Sequence, residues 1–192
     1  MFVSLRCLFR GSSTTSKWKS SGKHKLKKLK KLIVRDIYEF LEENEIGYER
    51  HDHEAVFTVE ESKQLSPELE GASTKNLFLR DKKGSRHFLV TVQEDKQIDL
   101  KALSGKLDSS RLSFASPERL KTHLGIEPGS VSLLALANDH DKKVEAFIDK
   151  DIWQEEAILC HPLVNTSTLV IPRKDMGQFL EKTGHGVKLI EI

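Results

Sequence analysis

Two cysteines in 192 residues, Cys7 and Cys160 at opposite ends of the chain, give a disulfide framework nothing to work with. A reducing compartment fits that usage. Long apolar runs are also missing: the longest clear one is Leu133 to Ala137, far short of the roughly 18 residues of a membrane-spanning helix. No G-x-x-x-x-G-K-[ST] loop, G-x-G-x-x-G turn, H-E-x-x-H helix or G-x-S-x-G elbow occurs, so the common nucleotide, dinucleotide, zincin and hydrolase signatures are excluded. No repeat with a period of 20 to 50 residues argues for a solenoid or propeller. What remains, with 38% hydrophobic residues and 31 Lys plus Arg against 29 Asp plus Glu, is one soluble domain of ordinary size.

Acid is absent from the first 35 residues, which hold eleven of the 31 bases. The remaining 20 bases face all 29 acids, a formal charge of minus 9 over residues 36 to 192. The start, with Phe2, Val3, Leu5, Leu8 and Phe9 interrupted by Arg6 and Arg10 and followed by a Ser/Thr-rich stretch, has the composition of an organelle-import presequence. It points to a mitochondrial address; a cytoplasmic chain with a plain basic extension is the alternative. The lysine cluster from Lys23 to Lys31 suits a phosphate-binding arm, a nuclear-localisation-like run or the solvated first turn of a helix. Residues 1–31 are read as this basic leader and 32–192 as the domain.

Apolar residues at three- and four-residue steps predict a helix from about Leu26 to Asn44, with Gly47 as its cap. Short strands are expected at Tyr48 to His53, Leu77 to Arg80, His87 to Val92, Leu112 to Ala115, Val131 to Ala135, Val144 to Ile148, Ala157 to Leu159, Thr168 to Ile171 and Val187 to Ile190. Thr58, Asp99 and Ser116 (before Pro117) read as helix starts, and Pro172 to Lys182 as the last helix. Short, unevenly spaced strands favour an α/β domain with a mixed, largely antiparallel sheet or barrel and helices packed around it.

Several residues invite chemistry. His51 and His53 share one face of a strand and suit a metal, but no third ligand is apparent and exposed strand histidines are the commoner case. Asp139-His140-Asp141 reads as a polar turn. Cys160 and His161 are adjacent and point to opposite faces, so Cys160 reads as a small buried hydrophobe rather than a nucleophile. His161 at a strand end suits a cleft or a structural role equally. Lys75 enters a strand from the small-residue turn Gly71-Ala72-Ser73-Thr74, and Gly125 to Ser130 forms a loop where a ligand can approach the backbone.

Five ordered blocks carry a resemblance: His53-Glu54-Ala55-Val56-Phe57-Thr58; Lys75 to Asp81; Arg111-Leu112-Ser113-Phe114-Ala115; Leu124 to Val131; and His161-Pro162-Leu163-Val164-Asn165-Thr166. Together they resemble the YbaK/ProX aminoacyl-tRNA deacylases, in particular the free-standing prolyl-tRNA-editing branch, similar to the insertion domain of bacterial prolyl-tRNA synthetase. The resemblance spans about Leu32 to Ile192 and implies a mixed sheet curled into a barrel-like core around a pocket. It also implies hydrolysis of the ester of alanine mischarged on proline tRNA, without metal or cofactor; cysteine as the substrate, or non-catalytic binding of aminoacyl-tRNA or a synthetase, are the alternatives. A pocket built for proline cannot strongly exclude a smaller amino acid, because missing methylenes are worth only about 1–3 kcal/mol, so a second site must remove it.

By position, the resemblance assigns Lys75, Gly129 and His161 to catalysis. It assigns Asn76, Arg111, Pro128, Ser130, Asn165 and Thr166 to holding the substrate and tRNA. On that assignment, Lys75 and Asn76 are expected to hold the terminal adenosine and its phosphate, while backbone N–H groups of the Gly129 loop stabilise the oxyanion formed by attacking water. The partners implied are mischarged proline tRNA and prolyl-tRNA synthetase, with no membrane. A domain of charge minus 9 repels tRNA at long range, so binding must rely on Lys75, Arg80, Arg111 or the lysine arm.

Overall fold

The segment His87 to Gln93, with Phe88, Leu89, Val90 and Val92 apolar, forms a strand buried on both faces, the pattern expected of the centre of a covered sheet. The computed structural model describes residues 36–54 and 69–192, all within one unit. In chain order these form α1 (Ile37–Glu43), β1 (Glu49–Asp52), β2 (Thr74–Arg80), β3 (His87–Gln93), α2 (Leu100–Lys106), β4 (Ser113–Phe114) and α3 (Pro117–Leu124). A 3-10 helix (Leu133–Asn138), β5 (Val144–Asp149), a second 3-10 turn (Ile152–Gln154), β6 (Ala157–Cys160), β7 (Ser167–Pro172), α4 (Arg173–Thr183) and β8 (Leu189–Ile190) follow. No helix among the described residues is long and apolar enough to cross a membrane.

The strands make a mixed α/β fold of two sheets. Five strands run in the order β4-β2-β3-β5-β8, antiparallel on the β2 side and parallel from β3 to β5 to β8; three run β1-β7-β6, all antiparallel. The expected mixed, largely antiparallel sheet is thus present, divided in two among the described residues. A seam joins the halves: Ala72 bridges Ile158 in parallel, with Ala72 N–H to Ala157 O at 2.9 Å and Leu159 N–H to Ala72 O at 3.0 Å. One apolar cluster gathers Phe78 and Leu89 with α1, the 3-10 helix and α4; on the other face, Leu79, Phe88, Val90 and Val92 pack with Leu103 and Leu107.

Local chemistry explains the helix ends. Asp99 and Ser116 cap α2 and α3 as expected, with Pro117 in the first turn of α3, and α4 closes on Gly184 in the left-handed conformation. Asp36 caps α1, so this helix starts at Ile37 rather than running through from Leu26; residues 26–35 and Thr58 lie outside the described residues. Gly47 does not close it. Glu45, at φ 54, takes the left-handed position, and Ile46 N–H returns to Leu41 O at 2.9 Å, while Gly47 N–H caps onto Asp175 Oδ1 instead.

The strand expected at Val131 to Ala135 is instead the start of the 3-10 helix, whose six residues are all buried. Ser132 nucleates it by accepting the Leu134 N–H, and a short apolar run buried on every side carries no period to distinguish helix from strand. Asp139-His140-Asp141 is the turn expected, with Asp139 buried and facing inward.

Beneath β2 and α3 lies a polar cluster that ties stability to pH. The His87 ring stacks on Phe78 at 5.8 Å and lies 4.0 Å from that of His123, and its Nε2 accepts from Arg119 Nη1 at 2.8 Å. Burial, then the His123 and Arg119 charges, push the His87 pKa from 6.5 down to about 4. Unfolding therefore takes up a proton between these values, and stability present above pH 6.5 is lost as the pH falls through 4. The effect is of order 3 kcal/mol in full. Urea denaturation at pH 7 and 4.5 should show the wild type losing about 2 kcal/mol more than His87→Gln; equal losses would remove His87 from the acid response.

Candidate active site

The seam at Ala72 positions the site. Lys75 follows the bridge by three residues on β2 and His161 by three residues just after β6, and alternation turns Lys75 away from Phe78 and His161 away from the buried Cys160. Thr74 Oγ1 reaches across to Leu159 O at 2.8 Å and fixes the two chains where they diverge. Lys75 is half-buried and makes no ion pair among the described residues, so its ammonium is uncommitted. Asn76 points the other way, its Oδ1 accepting from the Thr91 hydroxyl at 2.7 Å. Lys75 and Asn76 therefore line opposite walls of β2.

His161 follows β6 and opens the loop to β7. Its Nδ1 lies 3.3 Å from Ser167 O, a carbonyl that can only accept, so the proton sits on Nδ1 and Nε2 keeps its lone pair. Burial lowers its pKa, the Ser167 carbonyl opposes this, and the nearby His53 adds to the depression. The ring is thus neutral at pH 7 and presents an acceptor. His53 is held the same way: Nδ1 donates to Glu54 O at 2.7 Å and Nε2 accepts from Thr168 Oγ1 at 3.0 Å. In the loop itself, Leu163 adopts φ 64 and packs against the core, a strained conformation for a bulky residue beside the histidine. Thr166 is exposed and its carbonyl accepts the His53 N–H at 3.0 Å; Asn165 is half-buried.

The Gly129 loop is a tight turn. Ser130 N–H returns to Glu127 O at 3.3 Å across Pro128 and Gly129, whose φ of 92 places it at the third position of a type II turn. Pro128 has no N–H and Ser130 spends its own within the turn, so the Gly129 N–H is the donor among these three that the turn does not use. Pro128 and Gly129 are exposed, Ser130 half-buried, and no side chain stands within 4 Å of a Cβ built on Gly129. Val131 and Leu163 pack on the same apolar cluster, which anchors this turn and the His161 loop to one core.

Arg111 is not brought to this group. It is exposed, just before β4, and β4 pairs with Leu79 and Arg80 at the far end of β2, about 16 Å from Lys75 at about 3.3 Å per residue. Cys160 is fully buried, and burial pushes its thiol up to about 12, an inert core residue as expected. His51 pairs with Glu49 at 3.0 Å, separately from His53, and among the described residues no group of three or more His, Cys, Asp or Glu is placed to hold a metal. A cavity of about 590 Å³ on the outer side of the three-stranded sheet is bounded by Glu49, Glu70, Glu155 and Glu156, which repel phosphate. The pairing of His53 with Thr168 was not evident from sequence; period-two alternation, which sets Thr168 beside His51 across β1 and β7, is the signal that points to it.

The buried Cys160 is no nucleophile, while Lys75 without an ion pair among the described residues, the neutral His161 and the exposed Gly129 turn are groups of the kind that position water and stabilise charge. Residues 53–179 match the aminoacyl-tRNA editing domain, and the chain belongs to that family, a class of aminoacyl-tRNA hydrolases. Within it, the chain is 38% identical to the prolyl-tRNA editing protein ProX of Acetoanaerobium sticklandii over 152 residues, 79% of this chain and 93% of that one. It is also 38% identical to the prolyl-tRNA synthetase associated domain-containing protein 1 of Danio rerio over 155 residues, 80% and 84% of the two chains. Among solved structures, the "hypothetical protein APE2540" superposes with TM-score 0.64 at 15% identity, covering 81% of this chain and 97% of that one. A "putative trans-editing enzyme for prolyl tRNA synthetase" does so at TM-score 0.62 and 21% identity, covering 82% and 96%. These two likenesses establish a shared fold.

Proposed function

We propose that this protein is a trans-editing deacylase that hydrolyses the ester of alanine mischarged on proline tRNA. The observation that supports the reading is that, in a member of the editing family, a lysine with no ion pair among the described residues and a neutral histidine acceptor each lie three residues beyond the partners of the Ala72–Ile158 bridge. Lys75 holds the charge of the tRNA end or of the developing oxyanion. His161 Nε2 orients the attacking water or the terminal ribose hydroxyl, and the Gly129 N–H supports the oxyanion. Asn76 serves from the opposite wall through Thr91 rather than beside Lys75. Residues 32–192 are the deacylase domain; the basic leader supplies a mitochondrial address and lysines for the tRNA backbone; the synthetase is the natural source of the mischarged substrate.

Incubating the full chain with alanine-, cysteine- and proline-charged proline tRNA tests the reading. Alanine should be released at least about tenfold faster than proline, the discrimination a small-residue pocket can reach. Faster release of cysteine would move the specificity to that amino acid, and no release of any would leave a binding protein in its place.

A further inference from the structure

Two histidines close on the first residues of β7 from opposite sides. Cys160 and Leu169, the last pair of β6 with β7, both point into the core cluster, so His161 and Thr168, the next residue on each chain, turn to the other side of the sheet. Across β1 the partner of Thr168 is His51, and His53, two positions on, faces the same way. Thr168 thus stands between the chain that carries His161 and the ring of His53, whose Nε2 accepts from the Thr168 hydroxyl at 3.0 Å.

The bond that orients His161 is a long one. Its Nδ1 donates to Ser167 O at 3.3 Å, beyond the usual N–H···O range, so it holds while that carbonyl is kept in place. His53 grips the residues on either side of Ser167. Its main-chain N–H donates to Thr166 O at 3.0 Å, its ring takes the Thr168 hydroxyl, and its Nδ1, donating to Glu54 O at 2.7 Å, stops the ring from turning. Ser167 itself adds a contact of 3.4 Å between its hydroxyl and that of Tyr38. Thr168 is 8% exposed, so a hydroxyl deprived of the His53 acceptor is left largely out of reach of water. After burial, His53 is the group that lowers the His161 pKa, against the opposing Ser167 carbonyl.

A neutral imidazole carries one ring proton, and the partner of one nitrogen decides which of the two keeps it. We infer that His53, acting through Thr168, is a positioning residue for His161: it holds the Ser167 carbonyl where that carbonyl fixes the His161 proton on Nδ1, leaving Nε2 as the acceptor that the proposed hydrolysis uses. The catalytic consequence rests on the deacylase function proposed above. The place of the proton is a property of the protein without substrate, and His53 itself touches nothing that reacts.

The test uses the full chain as wild type, His53→Ala, His53→Gln and Thr168→Val. Nitrogen NMR of the His161 ring at pH 7, without ligand, is the first readout, because protonated and bare ring nitrogens resonate far apart; His161→Asn assigns the signals. Thr168→Val removes the hydroxyl at nearly constant volume, so it keeps the test open if His53→Ala does not fold. The wild type should carry the proton on Nδ1, and both His53→Ala and Thr168→Val should move about half of it or more to Nε2. His53→Gln, whose side-chain oxygen can accept from Thr168, should keep it on Nδ1. With alanine-charged proline tRNA, His53→Ala and Thr168→Val should each lower kcat about tenfold, part of the 100-fold or more that a positioned base is worth, with KM within about twofold. The two together should lose no more than either alone, as a single line of action requires. A His161 ring that keeps its proton on Nδ1 in folded Thr168→Val would overturn the inference. So would losses confined to Tm and KM, which would assign His53 to the fold alone. A wild type that hydrolyses no charged tRNA, while the His161 proton moves as expected, would fail the proposed function and uphold the positioning.

Discussion

Replacing Lys75 by alanine should lower kcat/KM for the mischarged tRNA at least about 100-fold, the usual loss when one preorganised electrostatic group is removed from a developing oxyanion. Stability should change by less than about 0.5 kcal/mol, because the side chain is half-buried, forms no ion pair among the described residues and is absent from both core clusters. Lys75→Arg retains the charge but spreads it over a planar fork on a longer reach, and should recover binding more than rate. Thermal unfolding beside single-turnover hydrolysis checks both halves. Retained turnover in Lys75→Ala would remove the lysine from the chemistry, and a large drop in Tm would assign it to the fold.

The largest loss of stability should come from a residue outside the site. Asp139→Ala is expected to cost about 3–5 kcal/mol, the range found when one partner of a buried charged network is removed. Its carboxylate is 4% exposed and accepts from Lys143 N–H at 3.0 Å, Val144 N–H at 2.7 Å and His185 Nε2 at 3.2 Å. Alanine leaves those three donors buried or half-buried without their acceptor, at the point where the 3-10 helix turns into β5. Asp139→Asn keeps an oxygen and should cost less. Burial alone would raise this carboxyl's pKa, but the bonds from His185, Lys143 and Val144 outweigh it and hold it below the ordinary 3.8. Stability from Asp139 is therefore present above pH 3.8 and lost as the pH falls through its lower folded value. Acid should thus weaken the fold first through His87, and only below that range through Asp139. Urea midpoints of Asp139→Ala and Asp139→Asn at pH 7 measure the first claim; a shift under 1 kcal/mol would contradict it.

Much of the architecture was legible because it is locally encoded. Ser116-Pro117, Asp99 and the run from Pro172 carry their helix starts in one or two side chains, and β3 declares itself by Phe88, Leu89, Val90 and Val92. The reading failed where context decides. Glu45 took the left-handed cap that a nearby glycine invited, and Leu133 to Asn138 became helical because Ser132 and burial on all sides settled it. For the candidate site, the motifs proposed Lys75, Gly129 and His161, and alternation alone set Cys160 against His161. The separation of Lys75 from Asn76, the uncommitted Gly129 N–H and the distance to Arg111 depend on pairings across the chain, which no local period contains.

The seam that precedes Lys75 and His161 links residues far apart in sequence, as the bond from Thr74 to Leu159, 85 positions away, illustrates. Gly71 lies beside it at φ 131, and a Cβ there would meet Ala157 O at 2.8 Å, so the closure admits little at this corner but hydrogen. Contacts of such separation form slowly, after local hairpins such as β2–β3 and β6–β7 have assembled. A chain emerging from the ribosome therefore presents the Lys75 strand before His161 has been made. Hydrolytic competence arrives with the final docking of the two sheets, and the onset of activity during refolding serves as a clock for that step.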